Sequence, residues 1–140
     1  MSIDPARLRC ARDQARETLL GARNVQGHWS GELSSSALST ATAINALRIV
    51  QHETGADHQA LIDGGLNWLA NNANDDGGWG DTVKSLSNIS TTTLCWAVFE
   101  EGDKFGDVVK RADAWLKQAA GGTDPDRLAP AIIQRYGKDR

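Results

Sequence analysis

The nine residues "NDDGGWGDT" (74–82) decide how this chain is read. Three glycines, three aspartates and one tryptophan fall in nine positions. The stretch is either an acidic catalytic site or a turn with acidic neighbours. An earlier stretch, "NVQGHWSGEL" (24–33), separates the two readings. At an offset of 50 it keeps glycine and tryptophan, with Gly27 and Trp29 matching Gly77 and Trp79. It replaces Asp75 and Asp76 by Val25 and Gln26. The turn repeats and the charge does not. Asp75, Asp76 and Asp81 are therefore read as turn residues and not as acids or metal ligands.

The register extends outward from the two tryptophans. Leu19 aligns with Leu69, Leu33 with Val83, and Ile44 with Leu94. A third, partial copy begins near Val108, where "ADAWLKQ" (112–118) echoes "GLNWLAN" (65–71) at an offset of 47. Self-similarity near this period in helical sequence marks stacked helix pairs. The repeats run about 4–53, 58–102 and 105–137, within a single domain spanning 1–140.

The first helix of each pair is amphipathic. Asp4 as N-cap and Pro5 at the first helical position open the first. Leu8, Ala11, Ala15, Leu19 and Ala22 then share a face. Leu61, Ile62, Leu66 and Leu69 form the second stripe; Val108, Val109, Ala112, Trp115, Leu116 and Ala119 form the third. The second helices, "SSSALSTATAINALRIV" (34–50) and "NISTTTLCWAVF" (88–99), are small or apolar nearly all round. Such helices are expected to be buried on all sides or to line a cavity, with Ser and Thr hydroxyls bonded back to helical carbonyls. The β-branched 89–99 run would pass alone for a strand. Its alanine-rich repeat partner reads as helix, so helix is expected in both. Asp124 and Pro125 open the last helix, and Pro130 predicts a break or kink near Ala129. The sum is six helices in three antiparallel pairs, an all-α architecture with an outer and an inner layer.

Within the long connection, Gly77 and Gly78 are expected at positive φ, Asn88 or Ser87 as the next N-cap, and Trp79 as a clamp between outer and inner helix. Composition limits the rest. The 140 residues carry a formal charge of −3 with no clustered Lys/Arg run, which argues against a nucleic-acid partner. Cys10 and Cys95 lie far apart and read as two buried free thiols. His28, His52 and His58 have no zinc-type spacing and read as loop or surface residues. No metal or cofactor set is expected. No apolar run suits a signal peptide or a membrane span, so a cytoplasmic protein is expected, with peripheral membrane contact left open.

"DDGGWGD" following "WLANNAN" resembles the repeat of the squalene cyclases and of the protein prenyltransferase β subunits, called the QW motif in the cyclases. "ARETLLGARNVQGHWSGELSSSALSTATAINAL" is similar to the opening repeat of bacterial squalene–hopene-type cyclases, and "AGGTDPDRLAPAIIQRYGKDR" to a later stretch of their N-terminal half. The resemblance covers essentially the whole chain. It implies an (α/α) toroid segment, an incomplete α/α barrel of about three helix pairs. The motif glutamine is missing: Arg23 stands near its place in the first copy, and Asn72 or Ala73 in the second. The resemblance therefore implies weaker ties between helix ends here. The cyclases protonate their substrate with a D-x-D-D motif in their other half, and nothing in this chain matches it; the zinc set of the prenyltransferases is missing as well. The chain is expected to be a half-barrel of a triterpene cyclase, cut from a longer protein or standing alone, and inactive by itself. A polyisoprenoid- or lipid-binding module and a structural domain that completes a barrel remain alternatives. Leu94, Trp96 and Phe99 are expected to line an apolar groove or a homodimer interface, unless the missing C-terminal half of a cyclase covers it.

Overall fold

The structure, a computed structural model, describes residues 4–31, 34–99 and 104–137. Among them are six helices and no strand: α1 (Pro5–Gly21), α2 (Ala37–Thr54), α3 (Gln59–Asn71), α4 (Ile89–Ala97), α5 (Gly106–Ala120) and α6 (Pro125–Tyr136). Leu33, and the end of the second repeat near residue 102, lie outside the described residues.

Local chemistry sets most helix ends. Asp4 accepts the Ala6 N–H and Pro5 occupies the first helical turn. Ser36 caps α2 through the Ser39 N–H, and Asn88 caps α4 through the Thr91 N–H. Each cap satisfies a donor that the helix itself cannot. Gly55 and Gly121 end α2 and α5 at φ 72° and 78°, a left-handed backbone that glycine adopts without steric cost. Asp124 precedes α6, but its side chain makes no capping hydrogen bond; only its carbonyl receives the Arg127 and Leu128 N–H groups.

The expected break at Ala129 does not occur, and α6 continues through Pro130. The carbonyl that loses a donor is that of Asp126, in the exposed first turn, where water can replace the lost bond. The segment expected to be helix and not strand, 89–99, is helical to Ala97. Its hydroxyls behave as anticipated: Thr93 Oγ1 donates to the Ile89 carbonyl, as Thr40 and Thr42 donate one turn back in α2.

The chain forms two compact units, Met1–Leu33 and Ser34–Arg140. The first holds α1, none of whose residues is buried. Cys10 on α1 is accordingly exposed, against the expectation of two buried thiols; Cys95 is fully buried.

The second unit has two layers. α2, α4 and α6 succeed one another in contact, α3 packs on α2, and α5 packs on both α4 and α6. This arrangement, inner helices touching inner helices with outer helices against them, is that of the α/α toroid. One core joins α2, α3, α4 and the start of α5 around Ile44, Leu69, Trp79, Cys95 and Phe99; a second joins α4, α5 and α6 around Ile89, Leu116 and Leu128. The Arg48 guanidinium ties α2 to the end of α4 through the Val98 carbonyl at 2.7 Å.

The two inner helices α2 and α4 differ in burial. α4 is buried on most sides, but α2 buries only Ala37, Ala41 and Ile44, no more than the three residues that α3 buries. Leu38, Ile49 and Val50 on α2 are exposed, as is Leu61 of the predicted α3 stripe. The reason is positional. α4 has neighbours in both layers and on either side, whereas α2 stands at the edge of its layer within this unit.

Candidate functional site

Residues 72–88 connect α3 to α4, and their geometry follows from Asn74. Its N–H donates to the Gly78 carbonyl and its carbonyl receives the Gly77 N–H, which closes a tight loop over 74–78. Its side-chain amide reaches the Ser85 carbonyl and Ser87 Oγ, joining the two ends of the connection. Gly77 closes the loop at φ 90°. A Cβ there would also meet the Arg111 backbone carbonyl at 2.9 Å, so the missing side chain lets α5 approach.

Gly78 does not adopt positive φ, contrary to the sequence reading. Its requirement is space: a Cβ would lie 2.7 Å from the Ser87 Cβ and 2.9 Å from Thr92 Oγ1. Gly80 meets the same constraint against the Ser85 and Leu86 carbonyls.

These close approaches seat Trp79, which is 1% exposed. Its indole N–H donates to the Leu69 carbonyl at 3.0 Å, in the last turn of α3, where helical carbonyls lack partners. Its backbone N–H donates to Thr92 Oγ1, and its carbonyl accepts the Asn88 N–H at the start of α4. Its ring stacks on Phe99 at 6.2 Å between centroids, and Phe99 packs on Phe105 at 5.2 Å. One residue thus joins the end of α3 and, through its backbone, the start of α4, and its ring reaches Phe99 just beyond α4.

The first turn repeats the same bonds. Asn24 N–H donates to the His28 carbonyl, Gly27 N–H to the Asn24 carbonyl, and the Trp29 indole N–H to the Leu19 carbonyl at 2.5 Å. Gly27 has φ 85°. Trp29 is 47% exposed, however, and its ring is covered by the Arg23 guanidinium, 5.8 Å from the centroid. Arg23 also donates to the Gly27 carbonyl. The arginine near the position of the motif glutamine therefore ties this turn by a cation–π contact and a hydrogen bond. At the second turn the smaller Ala73 packs against the core.

The repeat register shifts after the turns. The inner N-caps Ser36 and Asn88 stand at an offset of 52, whereas the two tryptophans stand at 50. Ile44 is the counterpart of Trp96 and not of Leu94, which explains why Ile44 is buried while Leu94 is exposed. Of the three residues expected to share an apolar groove, only Leu94 is exposed. Trp96 is half-buried between the two cores, and Phe99 is buried against Trp79.

The aspartates serve as acceptors. Asp76 receives the Gly78 N–H at 3.0 Å, Ser87 Oγ–H at 2.7 Å and the Trp115 indole N–H at 3.1 Å. Partial burial acts to raise its pKa, but the donors from Ser87, Gly78 and Trp115 outweigh it and hold the carboxyl below the ordinary range. Asp81 receives Thr91 Oγ–H at 2.6 Å and Asn88 Nδ2–H at 2.9 Å, and these donors lower its pKa as well. Asp75 is exposed. Burial pushes the Cys95 thiol up to about 12, so it is not a thiolate near neutral pH.

His28 and His52 are exposed and His58 is half-buried at the start of α3. Among the described residues no three His, Cys, Asp or Glu side chains come together as a metal site, and no helix is long and apolar enough to cross a membrane.

Sequence reasoning missed Thr92, Ser87, Gly80, Arg111 and Trp115 as parts of the turn. All but Gly80 reach it from beyond its own stretch of chain, and no local pattern marks them. The Asn24/Asn74 pair was visible at the common offset. No solved structure matches the chain. A family model, the squalene-hopene cyclase N-terminal domain, matches residues 13–124. With its tryptophan turns repeated at one spacing and its two-layered helices, the chain belongs to that squalene-hopene cyclase N-terminal domain family.

Proposed function

We propose that this chain is a structural half-barrel of a polyisoprenoid cyclase that does not cyclise its substrate by itself. The observation that carries this reading is the engagement of its best-placed acids. Starting cyclisation of a polyene requires a carboxylic acid that stays protonated until it meets the alkene. Asp76 and Asp81 are two of the three acids of the tryptophan turn, and hydrogen bonds hold both carboxyls below the ordinary range. They organise the turn and do not serve as proton donors. The test is incubation of the purified chain with squalene in detergent, with extraction and mass-spectrometric analysis. Recovery of unchanged squalene is expected; any cyclic product would overturn the proposal.

A second reading, a scaffold that completes a barrel with a partner or holds an apolar ligand, is favoured by the exposed Leu38, Ile49 and Val50 of α2, with Leu94 of α4. A helix that leaves three large apolar side chains open is suited to being covered. Sedimentation across a dilution series separates the cases. A concentration-dependent dimer supports self-pairing, a monomer that carries an extractable lipid supports a ligand, and a bare monomer rejects both.

A further inference from the structure

We propose that the cleft between residues 87–89, α5 and α6 binds a small organic anion with a flat apolar body. The cleft measures about 510 Å³, within the roughly 300–1,000 Å³ usual for small-molecule sites. It lies inside the second unit and plays no part in the proposed scaffold role.

Its chemistry is divided. Trp115 forms an aromatic wall, and Ile89, Ala119 and Ala131 add apolar surface. The alanines are what leave the space open. Trp115 is held in position by its indole N–H bond to Asp76, so the wall is set before any ligand arrives. The polar side has one charge, the Arg135 guanidinium. Arg135 has no ion-pair or hydrogen-bond partner among the described residues.

Ser87, Asn88 and Gln134 are the uncharged polar groups of the lining. Ser87 Oγ–H is committed to Asp76. Asn88 Oδ1 receives the Thr91 N–H and the Tyr136 hydroxyl, and its amide donates to Asp81. Ser87 and Asn88 are thus satisfied internally, and Arg135, with the neutral Gln134 beside it, is left to recognise the ligand. A planar guanidinium favours carboxylate or phosphate, which it can grip through two parallel N–H bonds. Apolar wall and single cation together select an aromatic or similarly flat body carrying one anionic group. A neutral sterol-like body would leave Arg135 unused, and a bare inorganic anion would leave the wall unused.

The experiment is a titration of the intact chain with 1-naphthyl phosphate, followed through the Trp115 indole N–H resonance. 1-Naphthol and inorganic phosphate serve as the separated halves. Saturable binding of naphthyl phosphate is expected, with each half weaker by about tenfold or more. Arg135→Gln should weaken naphthyl phosphate about five- to tenfold and leave naphthol unchanged. Ala131→Leu, and independently Ala119→Leu, should fill the cleft and abolish both, with the remaining amide spectrum intact as the check on folding. No saturation, a response that maps away from Trp115, or equal affinity in wild type and Arg135→Gln would each overturn the proposal.

Discussion

The turns at 24–31 and 74–82 share a backbone and differ in almost everything that surrounds it. Both bond the asparagine, glycine and tryptophan in the same pattern, and both send the indole N–H to a leucine carbonyl ten residues back. Among the described residues, Trp29 is held by its own helix end and Arg23, and it is half exposed. Trp79 is enclosed by α3, α4 and Phe99. Asn-x-x-Gly-x-Trp therefore specifies a geometry that stands with little help. The neighbours decide how much stability that geometry carries.

The largest expected contrast is between the two tryptophans. Trp79→Ala should cost about 3–5 kcal/mol, as for other fully buried aromatics. Trp29→Ala should cost about 1 kcal/mol, because much less surface returns to water. Urea denaturation followed by far-ultraviolet circular dichroism measures both. Equal losses would mean that the turn itself, and not its enclosure, carries the energy.

The glycines come next. Gly78→Ala places a methyl group against Ser87 and Thr92 and should cost about 1–3 kcal/mol by overpacking. Gly27→Ala meets only the mobile end of Arg23, leaving the left-handed φ as its main penalty, about 1–2 kcal/mol. Adding Arg23→Ala to Gly27→Ala sharpens the comparison. It should relieve none of the backbone strain, so the double variant should not be more stable than Gly27→Ala alone.

The aspartates of the second turn differ in their bonds: Asp76 accepts three hydrogen bonds, and Asp75 is exposed. Asp75→Asn should stay within about 0.5 kcal/mol. Asp76→Asn disturbs three hydrogen bonds and should cost about 1 kcal/mol. The pH dependence has a fixed sign. The folded pKa values of Asp76 and Asp81 lie below their unfolded values, so the stabilisation is complete above the unfolded pKa near ~3.9. It is lost as the pH falls through the lower, folded values. Thermal melts from neutral pH to about pH 2 should show this loss, and the double variant Asp76→Asn/Asp81→Asn should flatten that part of the profile. A profile unchanged by the double variant would remove these carboxylates from the acid response. The first turn carries Val25 and Gln26 at the positions of Asp75 and Asp76.

The smallest effect concerns the missing glutamine. Arg23→Ala should loosen the first turn by about 0.5–1 kcal/mol, the value of an exposed cation–π contact. Near-ultraviolet dichroism of Trp29 in a peptide spanning 4–31 would register it. No change would return the turn to a tie made by the Leu19 carbonyl alone.

The sequence by itself determined the helices and the turn. Caps at Asp4, Ser36 and Asn88, stripes at helical spacing, and a glycine–tryptophan pair that recurs in register are local signals. They act through backbone preferences that need few distant partners. The tertiary structure alone decided which faces are covered. The all-apolar character of α2 could not reveal that it stands at the edge of its layer within the second unit, nor that Phe99 turns inward onto Trp79. The offset between the tryptophans gave no warning that the inner helices shift to a longer one, which exchanged Leu94 for Trp96 as the counterpart of Ile44. Nor could the acidic look of 74–82 reveal that Asp76 is bonded by the distant Trp115. Burial and hydrogen-bond partners depend on which elements meet, and that is settled only when the helices pack.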